Sequence, residues 1–172
     1  KTFVTTVFVN MVAGPIDMNN GMFDLRQGHT TRVDESQPVP STLVSEAART
    51  LIAFSGVTIL PDIPEYYRKY PALLNFLSAQ KMPWKESRTL AGEIGEYIVM
   101  MRETEDAYLV GAATNESGRT IDLPLSFLKK GKYTVEIIED GEDAHYLTNR
   151  ESLKVTTRQL TSNDKLTLKL AP

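Results

Sequence analysis

The sequence predicts an α/β part followed by an all-β part, and three observations carry that reading. Up to about residue 80, short apolar runs alternate with stretches of helical spacing. From Tyr97 onward come six strand-like pieces, "YIVMMRE", "AYLVGAAT", "RTIDLPLS", "KYTVEIIED", "SLKVTTRQ" and "KLTLKLA". The change of style falls in "KMPWKESRTLAGEIGEY", a turn-rich junction between the two. The ranges that follow are 1–82 and 83–172, the second about 90 residues long, enough for a domain that folds independently but marginally. A single α+β domain is the alternative.

Taken in order, "TTVFVNMVA" is β-branched and apolar and reads as a buried strand, broken by "GPIDMNNG". "STLVSEAARTLIAF" places Leu43, Ala47, Thr50, Leu51 and Phe54 at helical spacing behind Ser41 as N-cap, with Gly56 as the stop. "VTILPD" reads as a second short buried strand ending at Asp62. "PEYYRKYPALLNFLSAQ" is helical, with Pro64 suited to a first turn and Pro71 expected to kink or split it. Strand, helix, strand, helix at this spacing argues for parallel α/β units, in a doubly wound sheet or a barrel. In the second part, Tyr133, Val135 and Ile137 alternate with polar residues, as do Leu166, Leu168 and Leu170. That is the pattern of antiparallel strands with one buried face, and a small sandwich is the expectation.

Bulk properties exclude several classes. The net charge of −3 leaves no basic footprint for nucleic acid or an anionic membrane, and no apolar run approaches a membrane span. Cysteine is absent, so disulfides and thiolate metal sites are ruled out. His29 and His145 stand far apart, without metal-ligand spacing. The chain opens at "KTFVTTVF", already inside a patterned element. The expectation is that Lys1 is not the natural start and that this is the C-terminal part of a longer protein.

The polar interruption at Asp17 bears on function. In a parallel α/β unit, strand C-termini face the ligand, so Asp17 and Asp62 would rise on one face. Between them, Met18 to Pro40 form a long aperiodic stretch of the kind that is usually functional or disordered. The competing reading is that both aspartates only cap turns or helices. Glu86, Glu93 and Glu96 read as solvated or pairing Arg88, Trp84 as an interface plug, and Tyr66, Tyr67 and Tyr70 as packing. His145 beside Tyr146 carries no specific signal.

"VAGPIDMNNGMFDL" resembles the GP-x-D-xxx-G segment of glycoside hydrolase family 97, and "SEAARTLIAFSGVTILPDIPEYY" the helix–strand–helix after it. "PWKESRTLAGEIGEYIVMMRE" is similar to that family's junction into its C-terminal domain, and "YLVGAATNESGRTIDLPLSFLKKGKYTVEIIEDGEDAHY" to the terminal β-domain. The resemblance covers essentially the whole chain. It implies the C-terminal portion of a (β/α)8 barrel at 1–82, then a small antiparallel β-sandwich at 83–172, in an enzyme with an N-terminal β-sandwich upstream.

The family's activity, by the same resemblance, is exo-acting hydrolysis of terminal α-linked sugars on an oligosaccharide. Glucosidase members carry a "DYTPG"-like run where this chain has "DMNNG", which favours α-galactosidase over α-glucosidase. The chemistry needs two carboxylates across the glycosidic bond. Those are expected upstream of Lys1, so no residue here is named nucleophile or acid. Asp17, Asn19, Asn20 and Asp62 are expected at the rim of the sugar pocket, bonding to sugar hydroxyls or to a catalytic group. Calcium is expected in the full-length enzyme with its ligands mostly upstream, and none is assigned within this chain. The implied partners are the oligosaccharide, the rest of the same polypeptide, and a second copy through the C-terminal domain, in the periplasm or outside a Bacteroidetes-like cell. A non-catalytic β-module that binds carbohydrate or a partner is the alternative.

Overall fold

The computed structural model describes residues 2–17, 19–25 and 39–172 of the chain. The expected loop from Met18 to Pro40 therefore lies largely outside the described residues, as does His29.

The first element overturns the sequence reading. "TTVFVNMVA" belongs to a helix, α1 (Thr2–Ala13), not a strand. Its buried residues Phe3, Val4 and Val7 fall on one helical face, while Val9, Met11 and Val12 point outward. The β-branched composition misled because tertiary packing overrides a propensity of tenths of a kcal/mol per residue, of order ~0.7 at most. The Thr6 hydroxyl helps by donating to the Thr2 carbonyl at 3.0 Å, a bond helices accommodate.

Helix α2 (Leu43–Ile52) follows, capped by Thr42 rather than Ser41: its Oγ1 accepts the Ser45 N–H at 3.2 Å. The second expected strand, "VTILPD", is also absent. Residues 57–62 form no ladder, and Val57, Ile59 and Leu60 are exposed. A strand needs a neighbour to take its backbone groups, and none is supplied among the described residues. The parallel barrel strands expected in 1–82 are thus missing from the described structure, which is helical there. Helices α3 (Pro64–Lys69) and α4 (Pro71–Ala79) are split by Pro71 as expected, each opening on proline in its first turn.

The second part is antiparallel throughout. Strands β1 (Glu86–Glu93), β2 (Tyr97–Glu103) and β3 (Tyr108–Thr114) form one sheet in that order. Strand β4 (Arg119–Pro124) pairs with β7 (Lys165–Leu170), and β5 (Lys132–Asp140) with β6 (Leu153–Thr161). All six pieces read from sequence are strands; β1, read as a turn-rich junction, was missed. Its burial pattern is mostly exposed, so period-2 alternation of apolar residues was not there to be seen.

Three apolar clusters hold the layers. Phe3, Val4 and Val7 of α1 and Ile52 of α2 pack on Ile98 and Met100 of β2 and Ala113 of β3, so helices cover the three-stranded sheet. Gly111 lets α2 lie close: a Cβ there would sit 2.9 Å from the Ala48 carbonyl oxygen and 3.3 Å from Leu51 Cδ2. Leu125, Leu128 and Leu166 gather Tyr133, Val135, Ile137 and Leu168 into the second cluster, as the alternation predicts. The third joins Phe23 and Leu25 to Leu43, Ala47, Tyr67 and Leu73, with Ile138 and Leu153 of the β part against it. Fully burying a residue such as Leu43 contributes about 1.5–3 kcal/mol.

Arg102 ties helix to sheet beneath these clusters. It is 6% exposed, and it donates to the Leu51 and Ile52 carbonyls at 3.2 and 3.1 Å, at the α2 C-terminus where a cation is favoured. Desolvation lowers its pKa to about 10. Its guanidinium lies 4.4 Å from the centre of the Trp84 ring, which itself meets Phe54 at 5.4 Å. Trp84 therefore fills the seam between the parts, as its sequence position suggested.

Candidate functional site

The polar loop 14–25 is held in place by side chains from four other places in the chain. Ile16 N–H donates to the Phe54 carbonyl at 2.7 Å, anchoring the loop start. Gly21 has φ +90, a left-handed backbone that glycine tolerates, and a Cβ there would meet Thr50 Cγ2 at 2.8 Å. Its N–H donates to Glu46 Oε2 at 3.2 Å, and its carbonyl accepts from the Tyr67 hydroxyl at 3.1 Å. Glu46 is buried on α2, and its other oxygen pairs with Arg49 at 3.0 Å. The Asp62 carboxylate then takes two consecutive amides, Phe23 N–H at 3.0 Å and Asp24 N–H at 2.6 Å, through Oδ2. At the end of the loop, Arg150 Nη1 donates to the Leu25 carbonyl at 3.0 Å.

Tyr67 is the hinge of this arrangement. Its hydroxyl donates to Gly21 and accepts the Asp62 N–H at 3.1 Å, while its ring meets Phe23 at 5.0 Å. Burial pushes its pKa up to about 12, so it stays a neutral donor across ordinary pH. Tyr66, Tyr67 and Tyr70 were read as packing residues, and Tyr67 and Tyr70 also spend their hydroxyls on hydrogen bonds.

The four expected rim residues separate into two kinds. Asp17 and Asn19 are exposed, and the Asp17 carboxylate has no hydrogen-bond partner among the described residues. Asn20 is 5% exposed and Asp62 is turned inward onto the loop backbone. The expectation that Asp17 and Asp62 end two parallel strands does not hold, because neither strand forms. What links Asp62 to the loop is the pair of amides at Phe23 and Asp24. Asp24, which looks like a neutral loop residue in sequence, is 2% exposed. Glu46 and Arg150 escaped the sequence reading, and Tyr67 was read for its packing but not for its hydroxyl. Glu46 and Tyr67 sit inside helical patterns and Arg150 is 125 positions from Leu25, so no local pattern could connect them.

No group of three or more His, Cys, Asp or Glu residues that could hold a metal occurs among the described residues. No described helix is long and apolar enough to cross a membrane. A cavity of about 800 Å³ lies elsewhere, between α2, α4 and the β layers, lined by residues such as Phe76, Tyr108, Leu128 and Val135. None of the four rim residues lines it, so its size says nothing about the loop. Of the acidic residues at the junction, Glu86 pairs with Arg88, and Glu96 with Arg119 at 2.8 Å.

Comparison with known proteins places this geometry. The family model "Glycosyl-hydrolase 97 C-terminal, oligomerisation" matches residues 83–172. A "Retaining alpha-galactosidase" of Bacteroides thetaiotaomicron is 30% identical over 173 aligned positions, which take in all of this chain and 26% of that protein. A "Probable retaining alpha-galactosidase" of Streptomyces bingchenggensis is 27% identical over 139 positions, 81% of this chain and 20% of that one. Among solved structures, a glycoside hydrolase family 97 enzyme from Pseudoalteromonas sp. strain K8, in complex with panose, superposes with a TM-score of 0.87. It is 32% identical, over 98% of this chain and 26% of its own. A match through the β part and a whole-length likeness in sequence and structure define the class by family. The chain belongs to glycoside hydrolase family 97 and spans about a quarter of the length of the relatives it matches.

Proposed function

We propose that this chain serves an exo-acting α-glycosidase, with α-galactosidase favoured over α-glucosidase, as the part that supplies one wall of the sugar pocket and the C-terminal β-domain. The observation that carries the reading is the alignment of the whole chain, loop 14–25 included, with a protein named as a retaining α-galactosidase. The loop's construction supports it. A backbone bound at Gly21, Phe23, Asp24 and Leu25 can present the exposed Asp17 and Asn19 in a fixed direction, which is what recognition of sugar hydroxyls requires.

In this reading the helices of residues 1–82 belong to the end of a (β/α)8 barrel whose strands and catalytic carboxylates lie elsewhere in the polypeptide, and 83–172 form a β-sandwich. The outward apolar side chains Val9, Val12, Val57 and Ile59 support the barrel assignment, since they need cover from further chain. Calcium in the complete enzyme, export to the periplasm or beyond, and self-association through the β-domain belong to the same proposal; the name of the matching family model supports the last. A carbohydrate-binding platform is less well supported. Tyr108 meets Phe127 and Tyr133 edge to face within the β core, not in a flat row.

The test is hydrolysis by the complete polypeptide. It is expected to release nitrophenol from nitrophenyl α-galactoside faster than from the α-glucoside, with the anomer of the first-formed sugar retained in NMR. A preference for the glucoside, or inversion, overturns the galactosidase choice. No turnover of either overturns the enzymatic reading. Residues 1–172 alone are expected to hydrolyse neither, and calcium removal from the complete enzyme to lower its rate.

A further inference from the structure

Loop 14–25 is braced from within the helical part by Glu46, Asp62 and Tyr67, but its last tie comes from the connection between β5 and β6. That connection, residues 141–152, reaches across to the helical part and its loop through three contacts. The Leu43 N–H, at the start of α2, donates to the Arg150 carbonyl at 2.9 Å. The Arg150 guanidinium donates to Leu25 O at 3.0 Å. Glu151 accepts from Tyr70 Oη at 2.8 Å and from Lys69 at 3.1 Å.

Arg150 is suited to hold two backbones at once. Its Nε donates to Tyr146 O and its Nη2 reaches Leu147 O at 3.5 Å, which fixes the plane of the guanidinium inside its own turn. The remaining arm, Nη1, is then aimed at Leu25. An arginine used only to close the 146–150 turn would have no reason to spend that third donor on a carbonyl 125 residues away. Lysine cannot reproduce the arrangement, because a point charge on a flexible stem lacks the planar fork. Leu25 is itself 1% exposed and packs in the cluster with Phe23, so movement of its carbonyl is transmitted to the amides that Asp62 holds.

We propose that Arg150 is a positioning residue for the glycosidase reaction, through which the C-terminal β-domain fixes the pocket-rim loop in its working position. This rests on the reading given under Proposed function. It assigns the β-domain a part in turnover, beyond assembly: Arg150 touches no sugar, and acts through Leu25 on the direction of loop 14–25. A displacement of about 1 Å in such a loop is enough to lower kcat/KM by up to about a hundredfold.

The test uses the complete polypeptide and the variants Arg150→Met, Arg150→Lys, Asp62→Asn and the double variant Arg150→Met/Asp62→Asn, with Lys132→Met as a β-domain control. Arg150→Met is expected to lower kcat/KM at least about tenfold, with KM raised as well as kcat lowered. Amide hydrogen exchange over residues 20–25 is expected to speed up, with the rest of the β-domain unchanged. Arg150→Lys should recover part of the rate, and Lys132→Met should match the parent. Because both ties hold one loop, the double variant should lose less than the product of the two single losses. Unchanged exchange at 20–25 in Arg150→Met overturns the brace itself. Faster exchange with unchanged kcat/KM, or multiplicative losses in the double variant, overturns its catalytic role. If Arg150→Met does not fold, the same two readouts on Arg150→Lys decide. A parent enzyme inactive on every α-glycoside overturns the underlying functional reading, whereas the exchange result still decides the brace.

Discussion

The helical part and the β part use their apolar residues differently. In the β part, alternating side chains from β5 and β7 close on one another and on Leu125 and Leu128, and the surface is left to ion pairs such as Lys165–Asp122. In the helical part the inward faces of α1 and α2 are spent on the three-stranded sheet, while Val12, 91% exposed, and Val57 and Ile59 turn outward. Polar contacts divide the same way. Those of the β part are mostly exposed pairs, which solvent screens. Those around residues 16–25 bind backbone groups in buried or half-buried surroundings, where leaving one unpaired costs about 1–3 kcal/mol. One region is built to close its own core, the other to hold a loop still against a sheet it borrows.

The seam between the regions is where this contrast is most easily broken. Leu51 is fully buried over Gly111, so Leu51→Ala should lower unfolding free energy by about 2–5 kcal/mol in urea titrations. Gly111→Ala tests the same contact from the other side, pushing α2 off β3 at a cost of about 1–3 kcal/mol. A loss below 1 kcal/mol in both would show that helices and sheet are held together by something other than this packing. The β part alone, residues 83–172, would expose the face of Ile98, Met100 and Ala113. It is expected to unfold cooperatively, but at a lower Tm than the whole chain.

The loop is the second place to press. Asp17→Asn, at an exposed position with no described partner, should leave Tm unchanged while lowering kcat/KM of the complete enzyme by one to two decades. That is the equivalent of a charged hydrogen bond of about 1.5–3 kcal/mol. A lowered Tm with unchanged kcat/KM would make Asp17 a turn residue. Asp24 in the same loop is buried, so Asp24→Asn is expected to disturb folding as well. Tyr67→Phe keeps the ring against Phe23 and removes only the hydroxyl between Gly21 and Asp62. It should cost about 1–2 kcal/mol of stability in thermal melts.

A smaller effect sharpens the seam by pH. Burial raises the pKa of Asp140 on β5 above 3.8, an effect only partly offset by the Thr42 hydroxyl on the helical side and the Ala171 N–H at 3.1 Å. An acid whose folded pKa is raised binds its proton more tightly in the folded state. Its contribution is therefore most favourable below the unfolded value and is lost as pH rises through the folded one. Asp140→Asn should accordingly raise Tm at neutral pH relative to the parent and flatten the decline in stability above about pH 4. Equal Tm values for parent and variant from pH 4 to 7 would place Asp140 in effectively aqueous surroundings.

Periodicity read from the sequence determined β2 to β7 and α2 to α4, because a half-buried strand or helix must repeat its apolar residues at 2 or 3.6. Tyr133, Val135 and Ile137 were legible for that reason, and so was the break at Pro71, which is local stereochemistry. Residues 2–13 and 57–62 were misread, because a short β-branched run is compatible with either state and only neighbours choose. Helix α1 found a sheet to lie on, whereas Val57 to Asp62 pair with no strand among the described residues. The resemblance to family 97 was carried by the order of segments along the chain, which is itself a property of sequence. The loop's supports were not. Glu46, Asp62, Tyr67 and Arg150 converge on Gly21 to Leu25 from separations of 25 to 125 residues. Contacts at such distances leave no local pattern and arise only when the chain has folded back on itself.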